Sequence, residues 1–227
     1  MKQLDHGLWI ADQPLRFAGL ELGARMTVIR LPNDELLLHS PIRPTTDLVG
    51  EVRSLGAVSA LVAPNRFHHL FAEAWLKACP GTRLFVAPGL ESKRPDLPLA
   101  GVLSDEPELI WKGALEQAVI RGLPLSNEVV FFHPMSRTLI ATDLAFNIGS
   151  DRPALTRLAF RLSGAYRRLA PTFLERLLIR DRASFRASLQ RVLEWPFERV
   201  IVAHGTVLEA GGQRELARGY SWLLGSA

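Results

Sequence analysis

Three places in the chain set metal-competent side chains at the end of an apolar run. His68 and His69 follow Ala60-Leu61-Val62-Ala63-Pro64. Asp143 closes Leu139-Ile140-Ala141-Thr142, and His204 closes Val200-Ile201-Val202-Ala203 with Gly205 behind it. An apolar run that stops abruptly at a polar residue is how a buried strand delivers a side chain to the edge of a sheet. Three imidazoles and one carboxylate suit a divalent transition ion, zinc or, with open positions, iron(II) or manganese(II). Cys79 is the only cysteine, so the chain offers neither a thiolate cluster nor an internal disulfide. Consecutive residues in regular structure point apart. His68 and His69 can therefore share an ion only at a strand-to-helix turn, which is where they lie.

The elements that must position these residues read as strands alternating with helices. Residues 8–10, 17–22, 26–31 and 35–39 form a meander, with Pro32-Asn33-Asp34 as a hairpin turn. Thr45, Thr46 and Asp47 offer N-caps to a helix through Val49, Val52 and Leu55 that stops at Gly56. After the strand at 60–63, Leu70, Phe71, Ala74, Trp75 and Ala78 mark one helical face, Pro80-Gly81 ends it, and 83–87 returns as a strand. A Pro-rich loop spans 90–98. Strands at 109–111, 118–120, 127–133 and 137–145 follow, the last two joined through Pro134-Met135-Ser136. Helices over 154–169, 173–179 and 183–193, a strand at 200–203 and a helix over 213–224 complete the chain. Trp75, Trp111, Trp195 and Trp222 read as packing residues. The pattern predicts one α/β domain over 1–227, two mixed sheets face to face with helices outside, and a basic helical insertion at about 152–193.

With 48% apolar residues in 227, the chain can build a sizeable core. No apolar run nears the roughly 20 residues that span a bilayer, and the first residues, Met1-Lys2-Gln3-Leu4-Asp5-His6, lack an apolar leader. The expected location is the cytoplasm. The net charge of +4 is concentrated. Nine arginines, from Arg152 to Arg186, meet only Glu175 and Asp181, with leucine and phenylalanine between them at helical spacing. That stretch is either a solvated helical face or a surface for an anionic substrate, an acidic lipid headgroup or RNA. Aromatic residues that could stack on bases are sparse there, which argues against nucleic acid.

In element order and strand-end motifs the chain resembles the metallo-β-lactamase superfamily, which implies a four-layer αββα sandwich. That family's first motif, Thr-His-x-His-x-Asp-His, falls on Ala63-Pro64-Asn65-Arg66-Phe67-His68-His69. Its strand-end Asp falls on Asp143 and its final His-Gly on His204-Gly205. The departures fall into a pattern. The imidazoles that would hold the first of two ions are replaced by Pro64 and Arg66, and the family's Gly-His falls near Gly122-Leu123. Each position serving the second ion keeps a ligand-competent side chain: His68, His69, Asp143 and His204. The resemblance thus implies one divalent ion instead of two. His39-Ser40-Pro41 stands where the family has a supporting Asp-x-Gly, and His39 reads as a polar strand cap. His6 and His133 read as surface or loop residues, with a place at the cleft rim as the other reading of His133.

The resemblance leaves two function classes. In one, the protein is a mononuclear metal-dependent hydrolase of a small, anionic molecule, with the ion acidifying a water. Arg66, directed into the cleft or paired with Asp143, and Asn65 would then stabilise the developing oxyanion. Four protein ligands close a tetrahedral ion, so this class requires a higher coordination number or one residue outside the set. In the other, His68 and His69 cap a helix, His204 is a satisfied buried imidazole, and the protein is a catalytically inactive binding or interaction protein. The arginine-rich helices are then a lid or a homodimer face, with Leu158, Leu162, Leu169, Phe173, Leu177 and Leu178 buried against the body or a partner.

Overall fold

In a computed structural model, which describes residues 1–225, the chain opens on a polar edge strand, β1 (Lys2–Asp5), paired with β2 (Leu8–Gln13). A two-stranded flap, β3 (Arg16–Phe17) and β4 (Leu20–Glu21), stands out before β5 (Ala24–Arg30) and β6 (Leu36–His39) complete the meander. The expected single strand at 17–22 is this flap, folded back at Ala18-Gly19, where both residues have positive φ. Next come α1 (Thr46–Leu55), β7 (Val58–Ala63), α2 (Ala72–Ala78), β8 (Arg83–Val86), the single turn α3 (Leu90–Lys93) and β9 (Leu99–Val102). Thr45 caps α1, its hydroxyl accepting from the amide of Leu48 at 3.3 Å. The second half holds β10 (Glu116–Val119), β11 (Val129–His133), β12 (Thr138–Ile140), α4 (Ala154–Ser163), α5 (Phe173–Leu178), α6 (Arg182–Leu193), β13 (Arg199–Ile201), α7 (Gly212–Gly219) and α8 (Ser221–Leu224). Residues 109–111, expected as a strand, form turns, and the closing helix breaks at Tyr220.

The strands assemble into two mixed sheets, ordered β1-β2-β5-β6-β7-β8-β9 and β10-β11-β12-β13. Alternation along each strand builds the layers. Ile29, Leu37, Ala60 and Val62 of the first sheet meet Val129, Phe131, Ile140 and Ile201 of the second between the sheets. Their neighbours Val28, Leu36, Leu38 and Leu61 face outward onto Leu48, Val52 and Trp75 of α1 and α2. On the far side, Val130, Phe132, Leu139 and Val200 pack under Phe185, Leu189, Leu216 and Leu223 of α6, α7 and α8. The result is the expected αββα sandwich. Trp75 and Trp111 are fully buried, while Trp195 and Trp222 pack half-buried at the margin.

Register places the chemistry. β12 and β13 are parallel neighbours, with Ile140 opposite Ile201. Asp143 and His204 each follow their paired residue by three positions, so both leave the sheet at the same end. β6 and β7 are also parallel. They deliver His39-Ser40 and the 64–71 turn to that same end, as the link from the Asn65 side chain to Thr142 Oγ1 shows (2.9 Å). Side chains gathered beyond the carboxyl ends of parallel strands are the usual place for a site in such folds.

Candidate metal centre

His68, Asp143 and His204 converge, with one potential ligand atom from each lying within 4.8 Å of the others. His68 Nε2 is 3.4 Å from one oxygen of Asp143, and His204 Nε2 is 3.5 Å from the other. All three side chains are less than one-fifth exposed. Each ring is held by its other nitrogen. His204 Nδ1 donates to the Gly23 carbonyl at 2.6 Å, and since a carbonyl can only accept, that nitrogen carries the proton. Its Nε2 is thereby turned toward Asp143. Phe146 stacks on the His204 ring, with centroids 5.7 Å apart. His68 Nδ1 is hydrogen-bonded to Ser40 Oγ at 2.7 Å. Ser40 reaches it from a left-handed backbone, φ 56°, which a serine adopts at some cost.

Asp143 is positioned from two sides. Asn65, fully buried, donates to Asp143 Oδ2 at 2.7 Å, while its own carbonyl oxygen accepts the amides of Phe67 and His68, each at 2.8 Å. One side chain therefore fixes the turn that carries one imidazole and orients the carboxylate opposite it. From behind, Glu128 accepts the amides of Thr142 and Asp143, the latter at 2.9 Å. Burial pushes the Glu128 carboxyl up to about 8, helped by the nearby Asp143 charge and opposed by those amides. Burial would also raise Asp143, but the charge of His68 and the contacts with His204 and His68 bring its carboxyl well below the usual range. A carboxyl held ionised against two imidazoles is set up to bind a cation.

The remaining candidates lie elsewhere. His69 is buried facing away from the cluster, where Arg94 donates to its Nδ1 at 3.3 Å. A neutral ring with that lone pair engaged carries its proton on Nε2 and has none left for a metal. Burial, then the charges of Lys93 and Arg94, lowers His69 to about 4. The turn thus separates the adjacent histidines. Helix α2 begins only at Ala72, and Leu70, expected on its buried face, is exposed. Arg66 points neither into the cleft nor at Asp143; it donates to the carbonyl of Pro124 at 2.9 Å. Its amide donates to the Ser126 carbonyl, tying the 64–66 turn to the loop before β11. Asn65 spends its amide on Asp143 and Thr142 and so cannot offer it to an oxyanion.

His39 is fully buried, edge-on to Phe131 and lowered to about 3 by burial and the neighbouring His68. His133 is buried as well, contrary to the surface reading. It sits at the far end of β11 against Ser136 Oγ (2.6 Å), away from the cleft rim. Two supports were missed from sequence. A lone glutamate preceding an apolar strand, Glu128-Val129-Val130-Phe131-Phe132, was the one available signal for the first. The second is Arg25, which is buried, pairs with Asp12 and donates to the carbonyl of Val202 at 2.8 Å, bracing the exit toward His204.

These features define a metallo-β-lactamase fold, and solved structures share it. A metallo-β-lactamase from Pontibacter korlensis is 15% identical, with 99% of this chain and 98% of that one aligned at a TM-score of 0.68. The metallo-β-lactamase FIM-1 from Pseudomonas aeruginosa in its mono-zinc form is 13% identical over 98% of this chain and 93% of that one, TM-score 0.64. The metal-soaked Flv1 flavodiiron core from Synechocystis sp. PCC6803 is 15% identical over 96% of this chain and 58% of that one, TM-score 0.63. Among curated proteins none matches the chain. The chain belongs to the family described as domain of unknown function DUF4336, which matches residues 5–163, a span that holds His68 and Asp143 and ends before His204.

Proposed function

We propose that the protein is a mononuclear metal-dependent hydrolase of a small anionic substrate, with one divalent ion held by His68, Asp143 and His204. The spacing of the donors carries this reading. One ligand atom from each of the three residues lies within 4.8 Å of the others, and the imidazoles face the two oxygens of the Asp143 carboxylate at 3.4 and 3.5 Å, close enough to converge on a single ion. Three protein donors leave positions open for water and substrate, as in catalytic zinc sites, so turning His69 away resolves the difficulty of a closed four-ligand set. Two imidazoles and a carboxylate suit iron(II) or manganese(II) equally. A structure of this fold described in a mono-zinc form is consistent with one ion on this scaffold.

When bound, a divalent ion supplies Lewis-acid chemistry and a water acidified toward neutrality. The chain's own part is preorganisation. Gly23 and Ser40 aim the two rings, Asn65 holds the carboxylate while Glu128 holds the backbone that carries it, and the buried surroundings keep bulk water from competing for the donors. We assign the substrate to the cavity of about 530 Å³ lined by Ala203 and Gly205 on either side of His204, where Arg16, Arg25 and Arg152, paired with Glu21, Asp12 and Asp151, would turn to an anionic group. We take the chain as one domain, with α4 to α6 as an inserted helical layer. The test is turnover of phosphate- and carboxylate-bearing esters by protein stripped and reloaded with zinc, iron(II) or manganese(II). Metal-dependent turnover that vanishes in Asp143→Ala is expected. Loaded protein that binds such molecules and converts none of them would contradict the proposal in favour of a binding protein.

A further inference from the structure

Six of the fourteen exposed large apolar side chains among the described residues fall between positions 155 and 177. On α4 they are Leu155, Leu158 and Leu162, a stripe at helical spacing; on α5 they are Phe173, Leu174 and Leu177, and each is more than half exposed. The expectation that these helices bury their leucines against the body is met only by Leu169 and in part by Leu178. The inward side of α4 is satisfied by other residues, since Phe160 packs on Leu22, Phe146 and Ile148 and Thr156 Oγ1 accepts the amide of Glu21 in the flap. The two helices meet where the Arg176 guanidinium reaches the left-handed Gly164 that ends α4. Phe17, at the tip of the flap that rests on α4, is 69% exposed as well.

Arginines surround this apolar surface. Arg161, Arg167, Arg168 and Arg180 are exposed, and none makes an ion pair among the described residues. Glu175, one of the two acids in the stretch, turns inward to accept the amide of Thr172 at 2.9 Å. Leucines and phenylalanines left uncovered among unpaired arginines form the pattern of a helix that lies in a membrane interface. A second copy of the chain fits poorly, because a two-fold contact through this face would set arginine against arginine. RNA fits poorly too: Tyr166 is already covered by Arg161 at 4.4 Å, leaving Phe173 as the exposed ring between 155 and 177.

We infer that the α4–α5 surface docks on an anionic lipid bilayer, its apolar side chains entering the headgroup boundary while its arginines pair with lipid phosphates. Such binding is peripheral, since no helix among the described residues is long and apolar enough to cross a membrane. It does not depend on the metal centre, so an Asp143→Ala variant keeps it. The experiment is co-sedimentation of the full chain with vesicles of phosphatidylcholine alone and of phosphatidylcholine with one-third phosphatidylglycerol, with sedimentation equilibrium run in parallel. Binding to the anionic vesicles alone, weakened by salt, is expected. Partitioning should fall on the order of tenfold or more in Arg167→Glu/Arg168→Glu and be lost in Leu158→Asp/Leu162→Asp, both of which change exposed side chains and should melt like the wild type. Absence of vesicle binding, equal binding to both vesicles, or a dimer that Leu162→Asp dissociates while vesicles bind nothing would each overturn the inference.

Discussion

Asn65→Ala is the perturbation whose cost follows most directly from the geometry. The side chain is fully buried and makes four contacts: two backbone amides donate to its oxygen, and its nitrogen donates to Thr142 Oγ1 and to the ionised Asp143. A neutral hydrogen bond is worth about 1 kcal/mol net and one to a charge about 1.5–3. The separate losses come to roughly 4–6 kcal/mol, and because neighbouring losses do not add and water can enter the vacated space, about 2–4 kcal/mol is expected. For a chain of this size that is a fall in Tm of roughly 5–15 °C. Urea denaturation and thermal melting of metal-free protein measure it. Metal affinity should fall about 10- to 100-fold in the same variant, because the turn carrying His68 and the orientation of Asp143 both loosen. A loss below about 1 kcal/mol together with unchanged affinity would refute the assignment of Asn65 as the residue that links the two.

Glu128→Gln should change how stability depends on pH. With the folded carboxyl raised to about 8 from an ordinary 4.5, the folded state holds its proton while the unfolded chain ionises, so wild-type stability falls as pH rises through that window. The variant should gain on the wild type by up to about 1.4 kcal/mol per pH unit between those values, and parallel urea midpoints from pH 5 to 8 would contradict this. Gly205→Ala should destabilise by at least about 2 kcal/mol and weaken metal binding, since Gly205 has φ 103° and a Cβ there would lie 2.2 Å from the Asn147 carbonyl oxygen. An unchanged melt would oppose that. Arg66→Ala should leave metal content at the wild-type level because its guanidinium turns to the Pro124 carbonyl; loss of the ion would return Arg66 to the site.

The central layers were legible because their signal is local. Alternation through β5, β6 and β7, the Thr45 cap and the apolar runs ending at Asp143 and His204 need only near neighbours to be read. Elements whose stability comes from partners were not. β1 is polar and β9 is four residues long; both are edge strands held by one neighbour, too short to show a period. The two histidines of the first motif are equivalent by residue type, and partners distant in sequence, Ser40 for His68 and Arg94 for His69, decide which faces the site. Glu128 gives no local sign of its role, because its partners lie 14 and 15 residues away. The leucines of α4 and α5 carry the same periodicity as a buried helix, and pattern alone cannot say whether water, a partner or lipid covers them.

The central claim is most directly tested by metal stoichiometry, measured by elemental analysis after equilibration with excess metal and removal of the unbound ion. One equivalent of a divalent transition metal is predicted in the wild type and in His69→Ala, and none in His68→Ala, Asp143→Ala or His204→Ala. No metal in the wild type at neutral pH, two equivalents, or retention in the Asp143 and His204 variants would contradict a single ion held by these three residues.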